Sequence, residues 1–223
     1  MISILMPIYN GIEFINESVT SIISQTFSNW ELIIGINGHF RNSDVYNIAK
    51  KYKKNDNRII VIDLYTIKGK SNALNEMLKY CKYEWISLLD VDDKWLPSKL
   101  NNQLQYMDKY DVIGTLCQYF GDSDIIPMIP TGDLDNYEFL SCNPIINSSC
   151  LLRKELCYWD NSDSCHGIED YDLWIRLNKN KKRFYNICTI EVLHRIHKES
   201  AFNAKGNNKN VKELIKKYSV LKN

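Results

Sequence analysis

Three carboxylates in four positions, Asp90, Asp92 and Asp93 in the run Leu88-Leu89-Asp90-Val91-Asp92-Asp93, are the sharpest chemical feature of this sequence. Like charges this close repel unless a cation or hydrogen-bond donors hold them. The apolar residues before them, Trp85 to Leu89, read as a buried strand, and ligands of open α/β sheets bind beyond the carboxyl ends of strands. Hard oxygen ligands favour Mg2+ or Mn2+, and one or two carboxylates commonly share such an ion with substrate phosphates. A nucleotide diphosphate suits that arrangement. The competing reading is a solvated acidic turn ahead of the helix that Pro97 opens, because acids are favourable at helix N-termini.

A second acid group opens the segment Gly167-Ile168-Glu169-Asp170-Tyr171-Asp172-Leu173-Trp174-Ile175-Arg176-Leu177. A carboxylate there can act as general base if it reaches the proton of an attacking hydroxyl and its pKa is not strongly depressed. Crowding of three acids pushes one of them upward, which favours a base. Complementarity to the helix dipole accounts for the same residues without any chemistry. A third segment, Met6-Pro7-Ile8-Tyr9-Asn10-Gly11, joins a strand end to a turn-forming Asn-Gly and offers an aromatic face to a nucleobase, or packs in the ordinary way.

The elements that must position these groups alternate between short apolar runs and segments of helical period. That alternation predicts a single α/β domain with a mostly parallel, Rossmann-like central sheet flanked by helices. Strands are expected at 2–6, 30–36, 59–62 and 85–89. Between them, Ile12, Ile15, Val19, Ile22 and Ile23 mark an amphipathic helix, 43–53 a polar one, and Ala73, Leu74, Met77 and Leu78 another after Gly69. Leu100, Leu104 and Met107 form the apolar face after Pro97. The second half is less regular: a strand over 112–119, a surface loop over 121–135, an apolar stretch at 150–152, a helix over 169–178 and a packed terminal helix over 210–221.

Composition excludes several classes. The 28 Lys+Arg against 27 Asp+Glu give a formal charge of +1, so nothing in bulk attracts nucleic acid or an anionic membrane. No apolar run approaches the roughly 20 residues of a spanning helix, and the N-terminus lacks the basic start of a signal peptide, so no integral membrane segment and a cytoplasmic location are expected. Seven scattered cysteines without a CxxC pair fit a reducing compartment, and Cys165-His166 reads as packing or loop, not as a zinc pair.

Taken in order, these segments resemble family 2 glycosyltransferases, which have the A-type (GT-A) nucleotide-sugar fold. Ser3 to Asn10 resembles the family's opening strand and turn, and Ser21 to Ile34 its next helix and strand. Trp85 to Leu100 resembles its Asp-x-Asp-Asp segment, and Glu169 to Leu177 its Glu-Asp helix. The resemblance implies that 1–100 is a nucleotide-sugar-binding half and 101–223 an acceptor-binding and catalytic half. It implies that Tyr9 stacks on or flanks the nucleobase, that Pro7 belongs to the donor-binding residues, that Asp90 contacts the donor, and that Asp92 with Asp93 holds Mn2+ or Mg2+ on the diphosphate. Asp170 becomes the base, Glu169 orients a glycan or other hydroxyl-bearing acceptor, and transfer inverts the anomeric carbon. A metal on the departing diphosphate and a base on the opposite face serve one in-line displacement. Lys70 adds positive charge near the phosphates or is simply exposed. His197, in a segment resembling the one that closes over the donor, is a metal or phosphate contact or a satisfied structural histidine. The stretch from Asn143 to Ser149 resembles the acceptor-side lining, with polar groups for sugar hydroxyls or a turn.

One departure stands out. The family usually carries two acids after the second strand, where this sequence has Ile36-Asn37-Gly38-His39, so Asn37 offers an amide in place of a carboxylate to the base or ribose of the donor. Asn37 also motivates a competing reading, a binding module of the same fold that holds nucleotide or glycan without turnover. A nucleotidyltransferase shares a similar sheet, but the Gly-rich phosphate loop it needs after the first strand is missing.

Overall fold

The computed structural model describes residues 1–198 and 207–220. The elements run β1 (Ile2–Ile8), α1 (Ile15–Ile23), β2 (Trp30–Asn37), α2 (Asp44–Asn55), β3 (Ile59–Leu64), α3 (Lys70–Met77), β4 (Trp85–Leu88), β5 (Lys94–Trp95), α4 (Lys99–Leu104) and β6 (Val112–Gly121). They continue with β7 (Gly132–Asp133), β8 (Leu151–Arg153), α5 (Glu169–Lys179), β9 (Phe184–Ile196) and α6 (Asn207–Val220). Leu221, which the sequence reading placed in the terminal helix, lies outside the described residues.

One nine-stranded sheet runs in the order β3-β2-β1-β4-β8-β6-β9-β5, with β7 on β9. The first four strands are parallel, as their helical crossovers require. The later half is mixed: β8 is antiparallel to both β4 and β6, β6 and β9 are parallel, and β5 and β7 are antiparallel to β9. All eight residues of β2 are buried, as expected of a strand covered on both faces.

Successive side chains of a strand face opposite ways, and here that splits the core in two. Leu5 and Ile33 pack with α3 and α5 residues such as Met77 and Trp174, and with Leu214 and Tyr218 of α6. Ile4, Met6, Ile34 and Ile36 pack with Val19 and Ile22 of α1, Ala49 of α2 and Leu100 of α4. Gly35 lets α3 lie close on the sheet, since a Cβ there would stand 2.5 Å from the Met77 sulfur. Ser43 caps α2 by accepting the Tyr46 N–H at 3.2 Å. The sheet thus carries the ends of β1, β2 and β4 to one rim, and β5 paired to β9 brings the end of β9 to the same rim.

Candidate active site

The acidic turn begins where pairing stops. Leu89 N–H still donates to Leu5 C=O, and the chain then turns through Asp90 to Asp93, with Asp93 N–H bonded to Asp90 C=O. Each carboxylate has a different environment. Asp90 receives Lys70 Nζ at 2.6 Å and the Asn147 amide at 3.0 Å, and a quarter of its side chain stays exposed. Burial works against its charge, yet Lys70 and Asn147 hold it below the ordinary carboxylate range. Asp92 meets His197 Nε2 at 3.0 Å through Oδ2 and is 22% exposed. Burial and the charges of Asp93 and Asp90 push its pKa up, the direction a bound cation would reverse.

Asp170 sits at the start of α5, half-buried, with Oδ2 accepting the Asn143 amide at 3.0 Å. Burial raises its pKa, the Asn143 hydrogen bond and Lys70 oppose the rise, and Glu169 adds to it. Lys70 ties the two acid groups together. Burial disfavours its ammonium, but Asp90, Glu169 and Asp170 overcome that and hold it above the ordinary lysine range. A single cation therefore feels both clusters, although they are 80 positions apart in the chain. The loop from Asn143 to Asn147 does the same from the other side, one asparagine reaching Asp170 and the other Asp90.

Toward β2, Tyr9 is exposed and its ring lies 5.4 Å from that of His39, whose Nε2 contacts the Tyr9 carbonyl. Gly38 has φ +75°, and a Cβ there would come within 2.9 Å of the Tyr9 ring. Asn37 is 3% exposed at the end of β2, and its amide has no hydrogen-bond partner among the described residues. Pro7, half-buried, pairs with Gly35 one residue beyond Met6, past the last pairing of β1 with β4, so its missing N–H breaks no ladder bond there.

Comparison with known proteins bears on what this rim is for. The family model for glycosyl transferase family 2 matches residues 3–158. The chain belongs to glycosyl transferase family 2. Among its relatives, the UDP-Glc:alpha-D-GlcNAc-diphosphoundecaprenol beta-1,3-glucosyltransferase WfaP of Escherichia coli is 29% identical over 231 residues, covering 100% of this chain and 86% of that protein. The O-antigen biosynthesis glycosyltransferase WbnJ of Escherichia coli is 32% identical over 212 residues, covering 90% and 81%. The fold is shared with S. aureus TarS 1-349 in complex with UDP-GlcNAc, at a TM-score of 0.78 and 16% identity, covering 98% of this chain and 65% of that one. It is shared with the Pyrobaculum calidifontis mannosyltransferase PcManGT in complex with GDP-Man and Mn2+, at 0.68 and 12%, covering 90% and 58%. The transferase thus spans less than two thirds of either solved chain.

The geometry bears on three expectations for this glycosyltransferase. Asp93 is not open to the rim as a metal ligand: it is 1% exposed, and both oxygens are taken, Oδ1 by Arg195 N–H at 2.9 Å, Oδ2 by Ser148 Oγ at 2.5 Å and His194 Nδ1 at 3.0 Å. It anchors the end of β9 beneath the acidic turn. Asn143, Asn147 and Ser148 hold carboxylates on a turn that leads into β8, which accords with the second of the two readings the sequence left open, contacts to sugar hydroxyls or a turn and strand start. Lys70 is a bridge and not a solvated lysine.

The sequence reading missed the latch behind the turn. Arg195 donates from Nε to Asp92 C=O at 2.9 Å and from Nη2 to Glu17 at 2.9 Å, between the rings of Phe14 and Phe120, each 4.3 Å away. Lys94 reaches the same Glu17 at 3.0 Å. The basic run His194-Arg195-Ile196-His197 at the end of β9, set against an Asp-rich turn, was the available signal. A separate group, Asp160, Cys165 and Asp172, brings ligand-type atoms within 4.8 Å of one another. Its buried Asp172 already receives Arg176 at 2.6 Å and the Tyr218 hydroxyl at 2.8 Å, with Lys217 at 3.6 Å, so it serves to dock α6. No helix among the described residues is long and apolar enough to cross a membrane.

Proposed function

We propose that this chain transfers a sugar from a nucleotide-diphosphate sugar, a UDP-sugar by the company it keeps, to a hydroxyl of a growing glycan, with inversion at the anomeric carbon. The observation that carries the reading is the convergence of Asp90 and Asp170 on Lys70, which supports a donor site and a base facing one cleft. Asp92 fits a Mn2+ or Mg2+ ion: its carboxyl is partly open, and burial together with the negative charges of Asp93 and Asp90 raises its pKa, a strain on its charge that a cation relieves. Held by Asp92, with its partner His197 as a further nitrogen ligand, such an ion would supply positive charge for the departing diphosphate. The relatives' printed activities, UDP-glucose transfer to a diphosphoundecaprenol-linked sugar and O-antigen synthesis, support polysaccharide assembly.

In the chemical step Asp170 takes the proton of the acceptor hydroxyl as its oxygen attacks the anomeric carbon. Burial keeps that carboxylate more basic than usual, while Asn143 fixes its orientation. Glu169 orients the acceptor. Lys70 holds Asp90 against the donor and offers charge on the phosphate side. Tyr9, with Pro7 two residues before it on the same strand end, flanks the nucleobase, and the buried Asn37 amide reads its edge as donor or acceptor.

A panel of nucleotide sugars with Mn2+, watched for nucleoside diphosphate release, tests the assignment and separates turnover from a binding-only module. Asp170→Asn should lower release by about 100- to 10,000-fold, the usual share of a general base, with UDP affinity within a few-fold of wild type. Full turnover in that variant overturns the role.

A further inference from the structure

Lys99, at the start of α4, is 0% exposed, with no carboxylate within ion-pair distance among the described residues. Its Nζ donates to Ser87 Oγ at 3.0 Å and to Gln103 Oε1 at 2.9 Å, and lies 3.9 Å from the centre of the Trp95 ring. Each of these three neighbours in turn donates to one of three consecutive backbone carbonyls. Trp95 Nε1 binds Ser148 C=O at 2.7 Å, Gln103 Nε2 binds Ser149 C=O at 2.8 Å, and Ser87 Oγ binds Cys150 C=O at 2.6 Å. The segment so held carries Asn147, which grips Asp90, and Ser148, whose hydroxyl meets Asp93 Oδ2 and Asp90 N–H.

An ammonium suits this hub. It has three N–H donors and no acceptor, and two hydroxyl or amide oxygens and one aromatic face receive them. By claiming Oε1 of Gln103 it leaves the amide NH2 to face Ser149 C=O and Ile113 C=O, and by claiming a lone pair of Ser87 it leaves that hydroxyl proton for Cys150 C=O.

We propose that Lys99 is a positioning residue of the transferase, the cation that orients Ser87, Gln103 and Trp95 so that the 148–150 backbone presents Asn147 and Ser148 to the acidic turn. Its effect on the reaction rests on the reading of Asp90 as the donor contact; its effect on the 147–150 segment does not. Burial pulls the Lys99 pKa down to about 7, opposed by the Cys150 thiol and the Glu191 carboxylate. These are the titratable groups that face it: Cys150 is itself pushed up to about 12 by burial, and Glu191, 2% exposed, is held by Ser98, Asn102 and Thr189. Loss of one proton near neutral pH removes one of the three N–H contacts.

The test compares wild type, Lys99→Met and a control, Ile59→Ala, that removes core from the far edge of the sheet. Amide hydrogen exchange over 147–153 should quicken at least about tenfold in Lys99→Met and stay as in wild type in Ile59→Ala. Calorimetry with UDP and Mn2+ should show an affinity loss of about tenfold in Lys99→Met only, and the wild type's fall in affinity as pH rises from 6 to 8.5 should vanish in that variant. Should Lys99→Met not fold, Lys99→Gln carries the same comparison. Unchanged exchange over 147–153, or exchange matched by the control, overturns the proposal. Wild type that binds no UDP while 147–153 exchanges faster in the variant refutes the donor reading and leaves Lys99 as the hub of the segment.

Discussion

Replacing Asp93 by alanine distinguishes an anchor from a metal ligand. The carboxylate is buried against three donors, one of them a histidine. Burial disfavours the charge of His194, yet Asp93, with help from Asp90 and Asp92, raises its pKa from the ordinary 6.5 to about 9. A gap of that size corresponds to about 3 kcal/mol, at about 1.4 kcal/mol per tenfold. Removing one member of a buried pair typically costs about 3–5 kcal/mol, so the two routes agree. In a chain of this length each kcal/mol lowers the melting temperature by roughly 2–4 °C, giving a fall of about 6–20 °C. The sign with pH follows from His194. Its folded pKa is raised, so its contribution is complete below 6.5 and lost as pH rises through about 9. The deficit of Asp93→Ala should therefore be largest near pH 6 and shrink toward pH 9.5. Thermal and urea unfolding in chelator, against Asp92→Ala as comparison, measures it. A variant within about 1 kcal/mol of wild type at pH 6 that nevertheless loses Mn2+-dependent UDP binding would make Asp93 a ligand and refute the anchor.

Other outcomes follow from single contacts. The raised pKa of Asp170 places the acid limb of the kcat profile above the ordinary carboxylate range, because the base acts deprotonated and is lost as pH falls through that value; Asn143→Ala, which removes a bond that lowers it, should move the limb further up. Gly38→Ala combines a left-handed backbone with a clash against Tyr9, so it should cost about 1–2 kcal/mol in unfolding and weaken UDP binding, while Gly69→Ala, where nothing stands in the way of a Cβ, should cost only the backbone part. Tyr218→Phe deletes a 2.8 Å hydrogen bond to the buried Asp172 and should lose about 1.5–3 kcal/mol by urea denaturation, with nucleotide affinity unchanged.

The first four strands were legible because each is an apolar run followed by a helical period, and a parallel sheet buried on both faces imposes that pattern. The later strands were less so. β5 and β8 are two and three residues long, and β9 mixes Asn, Thr, Glu and His into thirteen residues. Its pairing with β6 shifts register at Thr115 to Cys117, so no simple alternation marks it. The acids announced themselves through their crowding. Their partners did not, since Asn143, Asn147, Ser148 and Arg195 owe their roles to contacts 27 to 178 positions away. Lys99 was hidden for a related reason: a lysine on a short helix reads as solvated, and only the coordinates bring Ser87, Gln103 and Trp95 around it.

The loop that ends in Asn143 and Asn147 works as a caliper. Its two jaws grip Asp170 and Asp90, and on the proposed reading the four peptide units between them set the gap that a donor and an acceptor share. Gaining or losing one residue there would spread or close the jaws by up to about 3.5 Å, more than in-line attack tolerates. A change of sugar is therefore expected to come from substitutions along the rim or from loops such as 121–131, with the length of this one kept.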